Sequence, residues 1–355
     1  SVLFAIDFFI EGKFYSVFAT LFGIGFALQL ARFKEKQQLF TPFWLRRMLV
    51  LLFIGLCHMY FIWHGDILTL YSLLGLCLLC FTKASNQTLL RWIILLLTLP
   101  LAIHLVLILT QSNAFWSSMN DLVLILRESL GYQDTSLFVL RTSEEAKDVF
   151  WGNIFSAIPR PMSYLKTGRP FQVIGQFLLG IYLVRCFMQA NRPLPNARQI
   201  ITLLAIGSLL NFVYAYIKAV TGSPFSTNAL GLLQGVVYHL GCTIMALGYL
   251  ALLYRLWHNI TTSNALALLG RMALTVYLMQ TSVCVLLFYG YGYGLMGAVP
   301  FYSILLFGAA ILFIQLVFVR FWFKRFRFGP IEFIWRRLGY SRQTERSIPR
   351  ECEKA

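Results

Sequence analysis

The sequence predicts an all-α protein, a polytopic bundle of transmembrane helices, and three observations carry that reading. Only 12% of the 355 residues are charged and 58% are hydrophobic, whereas soluble domains carry about 25% charged residues. Mean hydropathy is +0.70. Runs such as 48–63, 66–81 and 304–319 are apolar on every face, as suits a helix surrounded by lipid that satisfies its own backbone hydrogen bonds. A transmembrane barrel would instead alternate polar and apolar residues along each strand.

Windows of about 19 residues place helices near 13–32, 46–63, 66–82, 89–110, 170–190, 199–220, 232–256, 266–289 and 301–323, nine visible spans. The link after the first holds Arg32, Lys34, Lys36, Arg46 and Arg47 against the single acid Glu35, so the positive-inside rule assigns it to the cytoplasm. Alternation then puts Lys83 with Arg91, Arg185 with Arg192 and Arg198, and Arg255 with Arg271 on the same side. On the other side fall 63–66, 221–230 and the aromatic, glycine-rich 289–300, which hold almost no basic residues.

One connection, 111–169, carries six basic and six acidic side chains and is expected to be extracytoplasmic. Two readings stay open for it, a cap over a site or a solvated, partly helical insertion. The chain opens on Ser1 with its first visible end outside and no signal peptide, so a preceding helix and about ten spans are expected in the intact protein. Residues 1–323 read as the transmembrane domain and 324–355 as a basic cytoplasmic tail. Within that tail Ile331, Phe333, Ile334 and Trp335 lie among arginines, the pattern of a short amphipathic helix on an anionic leaflet or of a simple topology anchor.

The net charge of +16 is spent on topology at the ends of the apolar runs, so no nucleic-acid partner is expected. Membrane lipids are the expected surroundings. The seven cysteines are scattered and form no disulfide framework; Cys77 and Cys80 make a lone CxxC inside an apolar run. His104 and His239 lack ligand spacing, so no metal and no covalently bound cofactor are expected. His258 is expected at a cytoplasmic helix end.

Ionisable groups inside a bilayer are costly and mark function. Asp66 is the only carboxylate between Lys36 and Asn120, and none lies between Asp148 and Glu332. Ion-coupled transport, which uses buried carboxylates near the midplane, is disfavoured by that scarcity, and no channel filter motif is present. The densest polar constellation runs from Gly55 to Leu68. His58 lies roughly 7 to 8 Å below the outer helix end, at about 1.5 Å per residue. An imidazole there can serve as base or acid or be a histidine bonded between helices. Asp66 suits a helix start, where its carboxylate accepts from exposed N–H groups, and it is close enough in sequence to pair with His58. His64 reads as an interfacial residue of the turn.

A second constellation runs from Gly270 to Thr281. On a continuous helix Arg271, Thr275 and Leu278 share one face and Tyr277 aligns with Thr281, giving a polar stripe that starts at a basic end. Arg271 could meet a phosphate, or serve as ordinary topology, with Thr and Gln residues joining helices.

These patterns together resemble the DUF418 family of bacterial membrane proteins over nearly the whole chain. The resemblance rests on Phe22-Gly23 with Gly25, and on His58 with Trp63 and Gly65-Asp66-Ile67-Leu68. It extends to Gly270-Arg271-Met272-Ala273-Leu274-Thr275 with Tyr277, Leu278 and Gln280, and to Gly329-Pro330 with Glu332, Trp335 and Arg336. Family members generally begin with an additional helix carrying an LDxxRG-like start, absent here, and Val276 stands where asparagine is usual. The family is similar to transmembrane acyltransferases that pass an acyl group from cytoplasmic acyl-CoA to an envelope acceptor. The resemblance therefore implies a bacterial inner-membrane protein, whose C-terminus the basic clusters already assign to the cytoplasm. It implies His58 as general base, Asp66 as its partner, and Arg271, Thr275, Tyr277, Gln280 and Trp63 on the side of donor and substrate binding. The competing class is a carrier or lipid-handling protein without chemistry.

Overall fold

The computed structural model describes residues 2–110, 114–190, 193–222, 225, 228–257, 263–300 and 302–339. Arg192, His258, Cys352 and the tail residues Arg342, Arg346, Arg350 and Lys354 lie outside them. Among the described residues the structure is all-α, without a strand. The helices are α1 (Val2–Phe9), α2 (Lys13–Glu35), α3 (Phe40–Cys57), α4 (Leu68–Cys77), α5 (Asn86–Thr110), α6 (Ala114–Ser129), α7 (Leu137–Thr142), α8 (Ala146–Ala157), α9 (Arg160–Lys166), α10 (Arg169–Leu183), α11 (Ala197–Thr221), α12 (Ala229–Trp257), α13 (Ser263–Arg271), α14 (Ala273–Phe288), α15 (Ser303–Phe323) and α16 (Pro330–Gly339).

Seven helical stretches among the described residues are long and apolar enough to cross a membrane by length and composition: Leu3–Glu35, Phe40–Ile62, Asn86–Thr110, Arg169–Gln189, Ala197–Thr221, Ala229–Trp257 and Ser303–Phe323. Their outer surfaces are apolar as well. Phe53 is 68% exposed, Leu109 73% and Leu306 69%, a distribution that water does not tolerate as a contiguous surface and lipid does. Polar side chains such as Lys13, His58, Asp66, Gln172 and Gln234 are buried instead.

Two expected spans come out shorter. The stretch expected at 66–82 is Leu68–Phe81 and that expected at 266–289 is Ala273–Phe288, roughly 21 and 24 Å long at 1.5 Å per residue against a hydrocarbon core of about 30 Å. A turn precedes the first of these helices, and the second is interrupted at Met272. At the N-terminus the helix begins earlier than 13 and breaks at Gly12, whose φ of 81° lies in the left-handed region that favours glycine.

Contacts divide the chain into two interleaved compact units. The first comprises Ser1–Gln38, Cys77–Leu122 and Pro159–Ile260. Here α11 packs on α12 and α10 on α2, with Gly23 facing the Phe177 backbone and Gly180 the Thr20 backbone, the close approach that small residues allow between membrane helices. The second comprises Leu39–Leu76, Val123–Ile158 and Thr261–Ala355. In it Trp44 Nε1 donates to the Gly75 carbonyl at 2.8 Å, joining α3 to α4. Helix α16 lies on α3, where Trp335 Nε1 donates to the Arg47 carbonyl at 3.0 Å and the Arg47 guanidinium stands 3.9 Å from the Trp335 ring centre.

The connection expected at 111–169 is helical over most of its described length. Val123, Leu140 and Phe155 of α6, α7 and α8 form a small core, so this part of it is a packed element.

Candidate functional site

The candidate site lies in the second unit where α3 ends. The last turn of that helix, His58–Ile62, is a π-helical turn closed by Trp63 N–H donating to the His58 carbonyl at 2.8 Å. One residue is thereby inserted into the helical ladder, a distortion that recurs at functional positions. His58 opens this turn and is 1% exposed.

His58 Nδ1 meets Asp66 Oδ1 at 2.8 Å, and both side chains are sealed from solvent. Asp66 Oδ2 receives the Thr69 backbone N–H at 2.6 Å, so the same carboxylate caps the start of α4, and the capping and pairing readings are both realised. Tyr277 hydroxyl approaches Asp66 Oδ1 at 3.4 Å, long for a hydroxyl–carboxylate bond, and its ring lies 5.2 Å from the imidazole. An ionised carboxylate only accepts, so opposite such an Asp66 the Nδ1 of His58 is the donor, and in the neutral imidazole Nε2 is then the acceptor. That Nε2 is buried with no hydrogen-bond partner among the described residues. Leaving a buried polar atom unpaired costs about 1–3 kcal/mol, a cost that a ligand hydroxyl or amine donor would remove.

Gly55 allows the pair to form. A Cβ there would stand 2.6 Å from Thr69 N and 3.1 Å from Asp66 Oδ2, so the α3 backbone can approach the α4 start only at a glycine.

Two residues of the 111–169 connection join the site, and neither stood out in the sequence. Asn153 of α8, 1% exposed, donates from Nδ2 to the Ile62 carbonyl at 3.1 Å, holding the end of the π turn. Arg141 of α7 donates to Ser156 Oγ at 2.7 Å and lies 3.5 Å from His64 Nε2. The signal available for Asn153 was an amide within the apolar run of α8. For Arg141 there was none.

The residues expected on the substrate side separate. Trp63 ends the π turn with its ring over Gly65, and the Tyr277 side chain reaches the His58–Asp66 pair. Thr275 is buried and engaged by Glu332, whose carboxylate accepts its backbone N–H at 2.9 Å and its hydroxyl. Arg271 is exposed, donates to the Arg327 carbonyl at 3.3 Å and stacks 4.7 Å from the Phe323 ring centre. Gln280 is exposed. The single polar stripe expected from Arg271 to Leu278 is not formed. The chain leaves helical geometry at Met272, with φ −116° and ψ 24°, so Arg271 ends one helix and Thr275 lies in the first turn of the next.

Fold and site together define a polytopic helical membrane protein with a buried histidine–aspartate pair. Residues 183–342 match the family described as "Protein of unknown function (DUF418)". The chain is 29% identical to YxaH of Bacillus subtilis (strain 168) over 94% of this chain and 81% of that one. It is 30% identical to YeiB of Escherichia coli (strain K12) over 92% of this chain and 81% of that one. A 39.9 kDa protein encoded 3′ of an amylase in Bacillus acidopullulyticus is 27% identical over 98% of this chain and 85% of its own. No solved structure matches. The chain belongs to the DUF418 family, alongside YeiB.

Proposed function

We propose that this protein is a membrane-bound acyltransferase of the bacterial inner membrane, with its C-terminus in the cytoplasm, that moves an acyl group from acyl-CoA to an envelope acceptor. The observation that carries the reading is the His58–Asp66 pair with its unpaired, buried Nε2. His58 Nε2 takes the proton of the acceptor hydroxyl or amine as that atom bonds to the thioester carbonyl carbon. Collapse of the adduct breaks the carbon–sulfur bond, and the imidazolium returns the proton to the departing CoA thiolate. Asp66 keeps Nδ1 as donor and offsets the imidazolium charge, the division of labour of a general-base pair. Arg271 is a phosphate-binding candidate for the donor.

Purified protein in nanodiscs supplied with radiolabelled acyl-CoA should hydrolyse or transfer the label, and His58→Ala should abolish this while the thermal midpoint is retained. Unchanged turnover in that variant would sink the assignment. One feature favours a carrier as a second reading. The membrane helix broken at Gly12 places Asp7 and Glu11 against Lys218, and broken helices mark transporter sites. Recovery of labelled acyl groups covalently attached to an envelope product distinguishes the two, because transport leaves its solute unmodified.

A further inference from the structure

The first unit holds a cluster of hydrogen-bond donors that the acyltransferase reading does not use. Helices α2 and α10 run parallel: Tyr15 meets Gln172, Ser16 meets Gln176, and Thr20 meets Gly180 one turn further on. Their N-terminal ends therefore lie side by side, and neither carries a side-chain cap. By contrast α11 is closed by a capping box from Asn196 and Gln199. The first N–H groups of α2, of Lys13 and Phe14, already donate to the Ile10 carbonyl, so the dipole of α10 supplies the open positive end, with Lys13 opening α2 and Arg169 opening α10 beside it.

The side chains there are short of acceptors. Lys13 is fully buried, and the one hydrogen bond of its ammonium among the described residues is to the Asp7 backbone carbonyl at 2.5 Å. The nearby carboxylates are taken, since Asp7 Oδ1 and Glu11 Oε2 each receive Lys218 Nζ at 2.8 Å. Arg169 stacks on Tyr15 and Tyr164, 5.4 Å from each ring centre, and has no carboxylate partner among the described residues. Gln172, 1% exposed, accepts at Oε1 from Tyr15 hydroxyl at 2.5 Å and lies 2.8 Å from His239 Nδ1. With Oε1 so occupied, its Nε2 donors are turned away from both partners and are left without one among the described residues. Arg169 and Gln172 are three residues apart on α10 and share a face, and Tyr15 touches both.

A place with unspent guanidinium and amide N–H groups, a buried ammonium and the N-terminus of α10 suits an oxyanion, which only accepts. We infer that the joined N-terminal ends of α2 and α10 bind a phosphate group, held by the Arg169 guanidinium and Gln172 Nε2 in the field of Lys13. The phosphate belongs to an anionic lipid headgroup or to a soluble phosphate. All of its residues belong to the first unit, so the inference stands or falls separately from the His58–Asp66 reading.

The test uses the full chain in dodecyl maltoside micelles, with the thermal midpoint followed as dioctanoyl phosphatidylglycerol, inorganic phosphate or dioctanoylglycerol is added. A rise with phosphatidylglycerol alone assigns the site to a lipid headgroup, and a rise with inorganic phosphate assigns it to a soluble oxyanion. Arg169→Gln should raise the apparent Kd at least tenfold, while Arg198→Gln, an exposed arginine in the first turn of α11, should leave it unchanged. Should Arg169→Gln fail to fold, Gln172→Glu, which sets a carboxylate against the anion, should abolish the rise. The inference is overturned if neither phosphate compound raises the midpoint, if dioctanoylglycerol raises it equally, if both arginine variants lose binding alike, or if Gln172→Glu retains it.

Discussion

Glu332 holds Thr275 twice, accepting its backbone N–H at 2.9 Å and its hydroxyl through the second carboxylate oxygen. Met272, at the N-cap position of α14, offers no side-chain cap, so a carboxylate from α16 supplies one and meets the positive end of the helix dipole. Two residues further along the same helix, Tyr277 faces Asp66.

Replacing Glu332 by alanine removes that cap and leaves the Thr275 donors buried without an acceptor. The variant should lose about 1–3 kcal/mol of stability, read as a lowered thermal midpoint in detergent. Glu332→Gln keeps one acceptor and should lose less. An unchanged midpoint in both would show that the α14 end finds water or another partner.

Asp66→Asn should preserve the shape of the pair and leave an oxygen able to accept from Thr69 N–H, so stability should change little. The charge opposite the imidazole is gone, and acyl transfer should fall by two to four orders of magnitude, the scale of general acid–base contributions. Acyl-transfer rates of the folded variant measure this. Activity within a factor of three of the parent would remove Asp66 from the mechanism.

Gly55→Ala places a methyl group against the Thr69 backbone and the Asp66 carboxylate. Backbone cannot yield as a flexible side chain can, so about 1–3 kcal/mol of destabilisation is expected, together with lower acyl transfer. A matched Gly308→Ala, where the added carbon meets nothing within 4 Å, should be silent in both measurements.

Asn153→Leu strips the Ile62 carbonyl of its side-chain donor. Amide hydrogen exchange across residues 58–63 should quicken by roughly tenfold, the equivalent of about 1.4 kcal/mol from one hydrogen bond, with the α3 body unaffected. Exchange at the parental rate would show that the π turn is held by the backbone alone.

A C-terminal green fluorescent protein fusion should fluoresce, and a C-terminal alkaline phosphatase fusion should be inactive, if residues 324–355 face the cytoplasm as the basic clusters imply. The reverse pair of results would invert the orientation.

What the sequence determined by itself was the class of protein and the most local part of the site. Apolar composition and run length specify membrane helices without knowledge of which helices touch, because lipid demands an apolar surface wherever it meets them. His58 and Asp66 are eight residues apart across one turn, so a short spacing argument could pair them. Asp7 and Glu11 lie before the break at Gly12, outside the apolar stretch expected at 13–32.

Everything that surrounds the pair was decided by tertiary structure. Tyr277 reaches Asp66 across 211 residues and Asn153 reaches Ile62 across 91; separately, within the first unit, Gln172 reaches Tyr15 across 157. In a soluble helix an apolar stripe announces the face that will be buried. In a membrane helix the lipid-facing and protein-facing sides are both apolar, that periodic signal is erased, and only packing selects which polar side chains meet.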